Sequence, residues 1–288
     1  MSRPDIHFLF AEERAEPGIL DFLDGEVVAA SLRDPEKTGA NEDGAFLASW
    51  PGGPGLLAVV DGMGGGPSGE KASRLVLKAL EEACLNGDPD RPRDLVLSAL
   101  DRANAAILEL GLGAGATLAL AEIHRGRMRS YHVGDAHLLL TGQRGKVRRL
   151  TIAHGPTGYA VEAGLMDEEE ALFHEDRHIV SNHLGNEDMR VEMATPVGIR
   201  PRDRLLLASD GLFDNLHVEE IVQTVRCGPP RKALETLVAS ARTRMQRPGS
   251  GEPSKPDDLT VLLYRPRGPR LSPSRPSPAP SLQSVASS

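Results

Sequence analysis

The chain has 288 residues, 40% hydrophobic and 26% charged, which is long enough to bury a core and ordinary for a globular protein. Its formal net charge of -8 argues against a general nucleic-acid binder, because phosphate backbones are held by excess Lys and Arg. Two cysteines, Cys84 and Cys227, are too few for a disulfide framework, and no apolar run reaches the ~18 residues of a membrane span.

The first residues, MSRPDIHFLFAEERAEP, place acids directly after a short apolar patch. That is unlike a signal peptide, so the expected location is the cytoplasm, with both thiols reduced. Residues 1–24 read as an N-terminal extension to a domain over 25–266. From Leu56 to Val60 a short apolar run predicts a buried strand. Glu70 to Leu85 and Arg93 to Leu110 carry apolar residues at helical spacing. Strands are expected at Thr117 to Ile123, Met128 to Val133 and His137 to Thr141, the last closed by a Gly142/Gly145 hairpin turn. Further on, Asp203 to Ala208 reads as a strand, Asn215 to Val225 and Arg231 to Met245 as helices, and Leu259 to Tyr264 as a final strand. With aromatics at only 3%, the core must be built from Leu, Val, Ala and Ile. Residues 267–288 are dominated by Pro and Ser and are expected to be disordered. The order is helices, a block of strands, helices and a strand, rather than a regular βαβ alternation. It predicts an α+β fold, with sheets packed together and helices outside.

Four acids sit alike at the edges of strand-like runs. Asp61 follows LLAVV, Asp135 follows YHVG, Asp210 follows LLLAS, and Asp257 precedes DLTVLLY. Each alone reads equally well as a turn or loop residue. Converging, they would repel one another, and a hard divalent cation would relieve the conflict through oxygen ligands. Periodicity leaves both readings open.

The motifs around these acids resemble the metal-dependent protein phosphatases (the PPM, or type 2C, family), above all its bacterial-type members. Asn41-Glu42-Asp43 is similar to that family's NED segment. VVDGMGGGPSGEKAS from Val59, GAGATLAL from Gly113, HVGDA from His132, LLLASDGLFDNL from Leu205 and KPDDLTVLL from Lys255 follow in the family's order. The resemblance implies a four-layer α/β/β/α sandwich of two packed antiparallel sheets flanked by helices. It implies two or three Mg2+ or Mn2+ ions. Asp61 would bridge two of them, with the Gly62 carbonyl beside it on the first and Asp210 and Asp257 completing the second. Asp135 would bind a weaker third ion with Asp210, while Glu42 and Asp43 would act through metal-bound water. The implied chemistry is hydrolysis of phosphoserine and phosphothreonine in proteins by a metal-bridged hydroxide, without a phospho-enzyme, with Asp61 and Asp210 central. Phosphoproteins, and a Ser/Thr protein kinase or its targets, are the implied partners, with no nucleic acid and no membrane.

One departure stands out. The family carries a phosphate-binding arginine where this chain has Thr38, so Arg33 and Lys37 are the candidates to take the phosphate. The same departure supports an alternative, a pseudophosphatase that binds phosphoproteins without turnover. A further alternative is the related branch acting on anti-sigma antagonist proteins. His132 is expected to be a hydrogen-bonded structural residue, and Ser209 has no nucleophilic role.

Overall fold

A computed structural model describes residues 3–10, 14–64, 67–111 and 113–267. Strands β1 (Asp5–Phe10), β2 (Arg14–Phe22), β3 (Gly25–Leu32), β4 (Gly44–Ser49) and β5 (Gly55–Met63) precede a helix pair, α1 (Pro67–Asn86) and α2 (Pro92–Leu110). Strands β6 (Gly115–His124), β7 (Arg127–Val133), β8 (His137–Thr141) and β9 (Val147–Leu150) follow. Short helices α3 (Pro156–Glu162) and α4 (Glu168–Phe173) lead to two-residue strands β10 (Glu192–Met193) and β11 (Val197–Gly198). The chain then forms β12 (Arg204–Ala208), helices α5 (Asp210–Phe213), α6 (Val218–Val225) and α7 (Pro230–Met245), and β13 (Leu259–Pro266).

The strands form two antiparallel sheets. One runs β1-β4-β5-β6-β7-β10, with β11 also on β7, and the other runs β2-β3-β13-β12-β8-β9. Strand β5 explains the layering. Its run LLAVV is apolar at every position because both faces are covered. Leu57 and Val59 point between the sheets, with Leu47, Ala119, Leu138, Leu207 and Leu262. Leu56, Ala58 and Val60 point outward beneath α1 and α2, against Val76, Leu80 and Leu100. The outer face of the other sheet packs Leu206, Val261 and Leu263 against Leu212, Ile221, Leu234 and Leu237 of the last three helices. The result is the expected α/β/β/α sandwich, with a core of small and branched apolar residues.

Every strand and helix expected from Leu56 onward is present, with one subdivision. The expected helix from Asn215 to Val225 begins at Val218, where Glu220 Oε2 accepts the backbone N–H of His217 at 3.0 Å and starts a new helix. Before it, α5 makes a single turn from Asp210. The first 50 residues hold more structure than their pattern announces. β1 pairs with β4 and β2 with β3, so each sheet takes an edge strand from the stretch read as an extension. Pro17 and an irregular register between Arg14 and Gly18 hide the alternation of β2, and an edge strand tolerates both. The Pro/Ser-rich tail lies outside the described residues beyond Arg267.

Candidate metal centre

The inter-sheet layer changes character at one end. Along β5 the apolar residues Leu57 and Val59 give way to Asp61, and ahead of β4 the position two residues before Ala45 is Asp43. Asp135 sits in the bend between β7 and β8. Asp210 opens α5 directly after β12, and Asp257 lies two residues before β13. The fold brings these acids within electrostatic reach of one another. Burial raises the carboxyl pKa of Asp61 well above the usual range, and Asp210, Asp43, Asp257 and Asp135 raise it further. The same holds for Asp43, pushed up by burial and by Asp258, Asp257 and Asp210, and for Asp135, pushed up by burial, Asp210 and Asp214. Asp257 is raised to about 7 by burial and then by Asp210.

The local sequence explains how each is held. Asn41 Oδ1 accepts the N–H of Asp43 at 2.9 Å, a tight side-chain turn that fixes the Glu42–Asp43 pair. Ser209 Oγ donates to Asp43 Oδ2 at 2.7 Å and accepts the N–H of Thr260 at 3.0 Å, tying β4, β12 and β13 together beneath the acids. Gly62 is required by close packing, since a Cβ there would lie 2.1 Å from the Gly69 carbonyl oxygen. The Gly62 carbonyl oxygen and Glu42 Oε1 crowd a common point, lying 2.6 and 2.8 Å from where a Cβ on Gly69 would be.

Asp135 is presented by a different device. Gly134 has φ +96, and a Cβ on it would meet the Thr117 side chain at 2.4 Å, so only glycine fits. His154 clamps that turn: its backbone N–H bonds the Gly134 carbonyl at 2.8 Å, and its Nδ1 accepts the Gly134 N–H at 3.1 Å. Asn182 Nδ2 donates to the same Nδ1 at 2.8 Å, while its Oδ1 accepts the N–H of Arg190. With Nδ1 an acceptor, the neutral imidazole carries its proton on Nε2, which donates to Glu192 Oε2 at 3.1 Å. His132, His154 and Glu192 lie close enough to hold an ion, but this tautomer makes His154 and Glu192 a hydrogen-bonded support for the turn that carries Asp135. His132 itself differs from expectation. Its ring centroid lies 4.4 Å from that of His154 with the planes tilted by 54°, and burial holds its pKa well below the usual value. Neither of its ring nitrogens makes a well-formed hydrogen bond.

A cation fits the acids on an observation of their own oxygens. Glu42 Oε1, Asp43 Oδ1, Asp135 Oδ1 and Asp210 Oδ1 are buried and accept no hydrogen bond. A buried carboxylate oxygen without a partner is costly, and an oxygen-only donor set suits Mg2+ or Mn2+. A cleft of 620 Å³ opens beside Asp135 and Asp210 and is lined by them together with Asp214 and residues of α3 and α4.

Three contributors were missed in the sequence. Asp214, one helical turn after Asp210, is raised by burial and by Asp210, and it shares the pocket. Lys255 Nζ lies 2.5 Å from Asp210 Oδ2, 2.9 Å from Asp214 Oδ2 and 3.2 Å from Asp257 Oδ2. Burial opposes its charge, but those three carboxylates raise its pKa far above that of a free lysine. Asp258 turns away from Asp257. It accepts the N–H of Asp34 at 2.8 Å and of Glu42 at 2.7 Å, and Lys37 Nζ at 2.7 Å. The i, i+4 spacing of Asp210 and Asp214 was a usable signal, whereas the aim of Lys255 was not.

The phosphate candidates are placed unequally. Lys37 Nζ also donates to Glu42 Oε2 at 2.6 Å, so it bonds a carboxylate of the centre. Arg33 Nη1 donates to the Gly39 carbonyl at 3.1 Å, bracing the loop around the exposed Thr38.

The chain is similar to known proteins over most of its length. The Protein phosphatase 2C family profile matches residues 36–239. The serine/threonine protein phosphatase PstP of Mycobacterium tuberculosis is 31% identical over 233 residues, 77% of this chain and 41% of the relative. This chain therefore spans less than half the length of that curated relative. The crystal structure of Mycobacterium tuberculosis PstP/Ppp superposes with a TM-score of 0.71 at 28% identity, covering 85% of this chain and all of that one. A catalytic-domain structure of PstP in complex with two manganese ions superposes with a TM-score of 0.65 at 27% identity, covering 83% of this chain and 96% of that one.

Proposed function

The chain belongs to the Protein phosphatase 2C family, and we propose that it hydrolyses phosphoserine and phosphothreonine in proteins with the help of Mg2+ or Mn2+. One observation carries the reading: buried, unpartnered carboxylate oxygens of Glu42, Asp43, Asp135 and Asp210 gather at one end of the inter-sheet layer. Asp61, the Gly62 carbonyl, Asp210 and Asp257 would hold two ions, and Asp43 and Glu42 would reach them through water. When bound, such ions acidify a shared water for direct attack on phosphorus and offset charge on the phosphoryl oxygens.

The chain's own groups do the rest. Asp61 and Asp210 fix the ion positions from two different sheets, so the pocket's shape depends on sheet-to-sheet packing. Ser209 supports a mechanism without a phospho-enzyme: it is fully buried and spends its hydroxyl on Asp43 and Thr260. Lys37 is the better-placed phosphate group, since it already bonds Glu42, and Arg33 is the second candidate. The cleft beside the acids carries Glu162, Asp167, Glu168, Glu169 and Glu219 against Arg177 and His217. Its negative field favours phosphosites with basic neighbours.

A Ser/Thr protein kinase and its targets are the proposed partners, and signalling the proposed setting. No helix among the described residues is long and apolar enough to cross a membrane. The free thiols Cys84 and Cys227 suit a reducing compartment, which supports a cytoplasmic location. The test is hydrolysis of p-nitrophenyl phosphate and a phosphothreonine peptide with added Mn2+. The proposal requires turnover that Asp61→Ala or Asp210→Ala removes, and activity surviving both changes would overturn it.

A further inference from the structure

His154 stands where two parts of the molecule meet. Toward the acids, it bonds both backbone polar groups of Gly134. Its N–H donates to the Gly134 carbonyl at 2.8 Å, and its Nδ1 accepts the Gly134 N–H at 3.1 Å. Glycine tolerates many backbone angles, so Gly134, at φ +96, needs partners that hold it to one of them and so aim Asp135, the next residue. His154 supplies a partner on each side. Away from the acids, residues 155–180 form α3 and α4, which line the cleft, and then return. This excursion begins directly after His154 and closes on it. The His154 carbonyl accepts the Ser181 N–H at 2.8 Å and the Ser181 hydroxyl at 2.9 Å.

The imidazole joins the two sides. Its Nδ1 is shared between the Gly134 N–H and Asn182 Nδ2. Asn182 is locked to Arg190 in turn: its Oδ1 accepts the Arg190 N–H at 2.9 Å, and its Nδ2 donates to the Arg190 carbonyl at 2.8 Å. Nε2 meets Glu192, which pairs with His132 across β10 and β7. The Tyr159 ring of α3 lies 6.3 Å from the imidazole and within 21° of its plane. His154 and Asn182 are both buried, so a lost bond here is not readily replaced by bulk water. A separate tie, from Arg177 Nη2 to the Ser254 carbonyl at 2.9 Å, fastens the stretch after α4 to the segment ahead of Asp257.

We propose that His154 is a positioning residue for the hydrolysis: its Nδ1 aims Asp135 into the acid centre, and its carbonyl holds the α3–α4 segment in fixed relation to that aim. The inference rests on the phosphatase reading for the reaction but not for the link. It acts through Gly134, and His154 itself touches neither ion nor substrate.

The two ring nitrogens can be tested apart. Full-length protein would be compared with the His154→Asn, His154→Gln and His154→Ala variants. Asn puts an acceptor oxygen where Nδ1 lies, Gln reaches toward Glu192 instead, and Ala does neither. The readouts are Mn2+ affinity by calorimetry and kcat and KM for p-nitrophenyl phosphate, with circular dichroism to verify folding. Groups that orient metal ligands from behind typically change affinity or activity by ~10–100-fold when lost. A loss of that order in Mn2+ affinity and kcat is expected for Gln and Ala, with KM little changed, and Asn should regain most of it. Wild-type values in folded Gln and Ala variants would overturn the proposal, as would an Asn variant no better than Ala. The link to the cleft is tested in the wild type by NMR hydrogen exchange. The Gly134 and Ser181 amides should open with the same free energy, and independent opening would break the link. If no variant folds, that exchange measurement decides alone. A wild type that neither binds Mn2+ nor turns over substrate would remove the phosphatase reading, while shared opening of the two amides would still sustain the link.

Discussion

Two lysines meet buried carboxylates near the ends of β3 and β13, and they leave different oxygens behind. Lys37 joins Glu42 and Asp258, and both oxygens of Asp258 are fully engaged, by two backbone N–H groups and the ammonium. Lys255 joins Asp210, Asp214 and Asp257, yet Asp210 and the neighbouring Asp135 and Asp43 each keep a buried oxygen without a partner. In the first cluster Asp258 is fully partnered and ties the loop after β3 to the start of β13, and only Glu42 Oε1 is left open. The second remains incomplete until something cationic arrives. Similar residue types thus make a strut around Asp258 and, around Asp210, the cluster proposed above to hold metal, and the accounting of oxygens on Asp258 and Asp210 tells the two apart.

The largest effect should separate the clusters outright. Asp210→Ala strikes the incomplete cluster and should lower kcat/KM for a phosphothreonine peptide in Mn2+ by about 10³-fold or more, because the ions lose their anchor. Thermal stability without metal should hold or rise, since one of several repelling acids is gone. A metal-free melting temperature that collapses in this variant would mean the acid is a strut after all.

Next comes Gly62→Ala. Its Cβ would overlap the Gly69 carbonyl, so β5 or the start of α1 must shift, at about 1–3 kcal/mol. Urea denaturation should register that loss, and Mn2+ affinity should fall with it. Full stability together with unchanged affinity would refute the close packing of Gly62 against Gly69.

Lys37→Ala tests the strut. It strips one partner from Glu42 and Asp258 and should cost about 1–2 kcal/mol in urea denaturation, the pair being mostly but not wholly buried. If stability is unchanged while KM for the phosphopeptide rises, Lys37 serves the substrate rather than the fold. Arg33→Ala measured beside it decides between the two phosphate candidates.

The smallest effect is on pH. Burial and Asp210 raise Asp257 from its ordinary 3.8 to about 7, so the folded chain keeps a proton that the unfolded chain has released. With more protons bound when folded, metal-free stability falls as pH rises from about 4 to about 7. Cations take the deprotonated form, so the rise in melting temperature on adding Mn2+ should grow over the same window. An increment that stays flat from pH 5 to pH 8 would contradict the buried position of Asp257.

Much of this was legible in the sequence, for reasons that can be traced. The outer-face periodicity of Leu75, Val76, Ala79, Leu80 and Ala83 announced α1, and the LLAVV run announced β5, because burial on one or both faces leaves a pattern in chain order. The acids Asp61, Asp135, Asp210 and Asp257 were visible as strand-end residues, though only folding could bring them together. The strands β1 and β2 were not legible, since edge position admits Pro17 and mixed polarity. Lys255 was invisible for another reason. Its direction is set by Asn215, 40 residues away, and a long side chain carries no periodic trace of where its tip goes. Asp257 and Asp258 are adjacent and chemically alike, but consecutive residues at a strand start face opposite ways, so one meets Lys255 and the other Lys37.

Asp61 stands on the same face of β5 as Leu57 and Val59, both sealed between the sheets. Deleting a single residue within that strand ahead of Val60 would swing the carboxylate out toward α1 and turn Val60 in between the sheets, and the apolar residues on one side of the deletion would change faces with it. A misregistered copy therefore cannot fold quietly around a damaged centre, because its interior fails at the same moment. The alternation that builds the barrier between the sheets also proofreads the chemistry at its end.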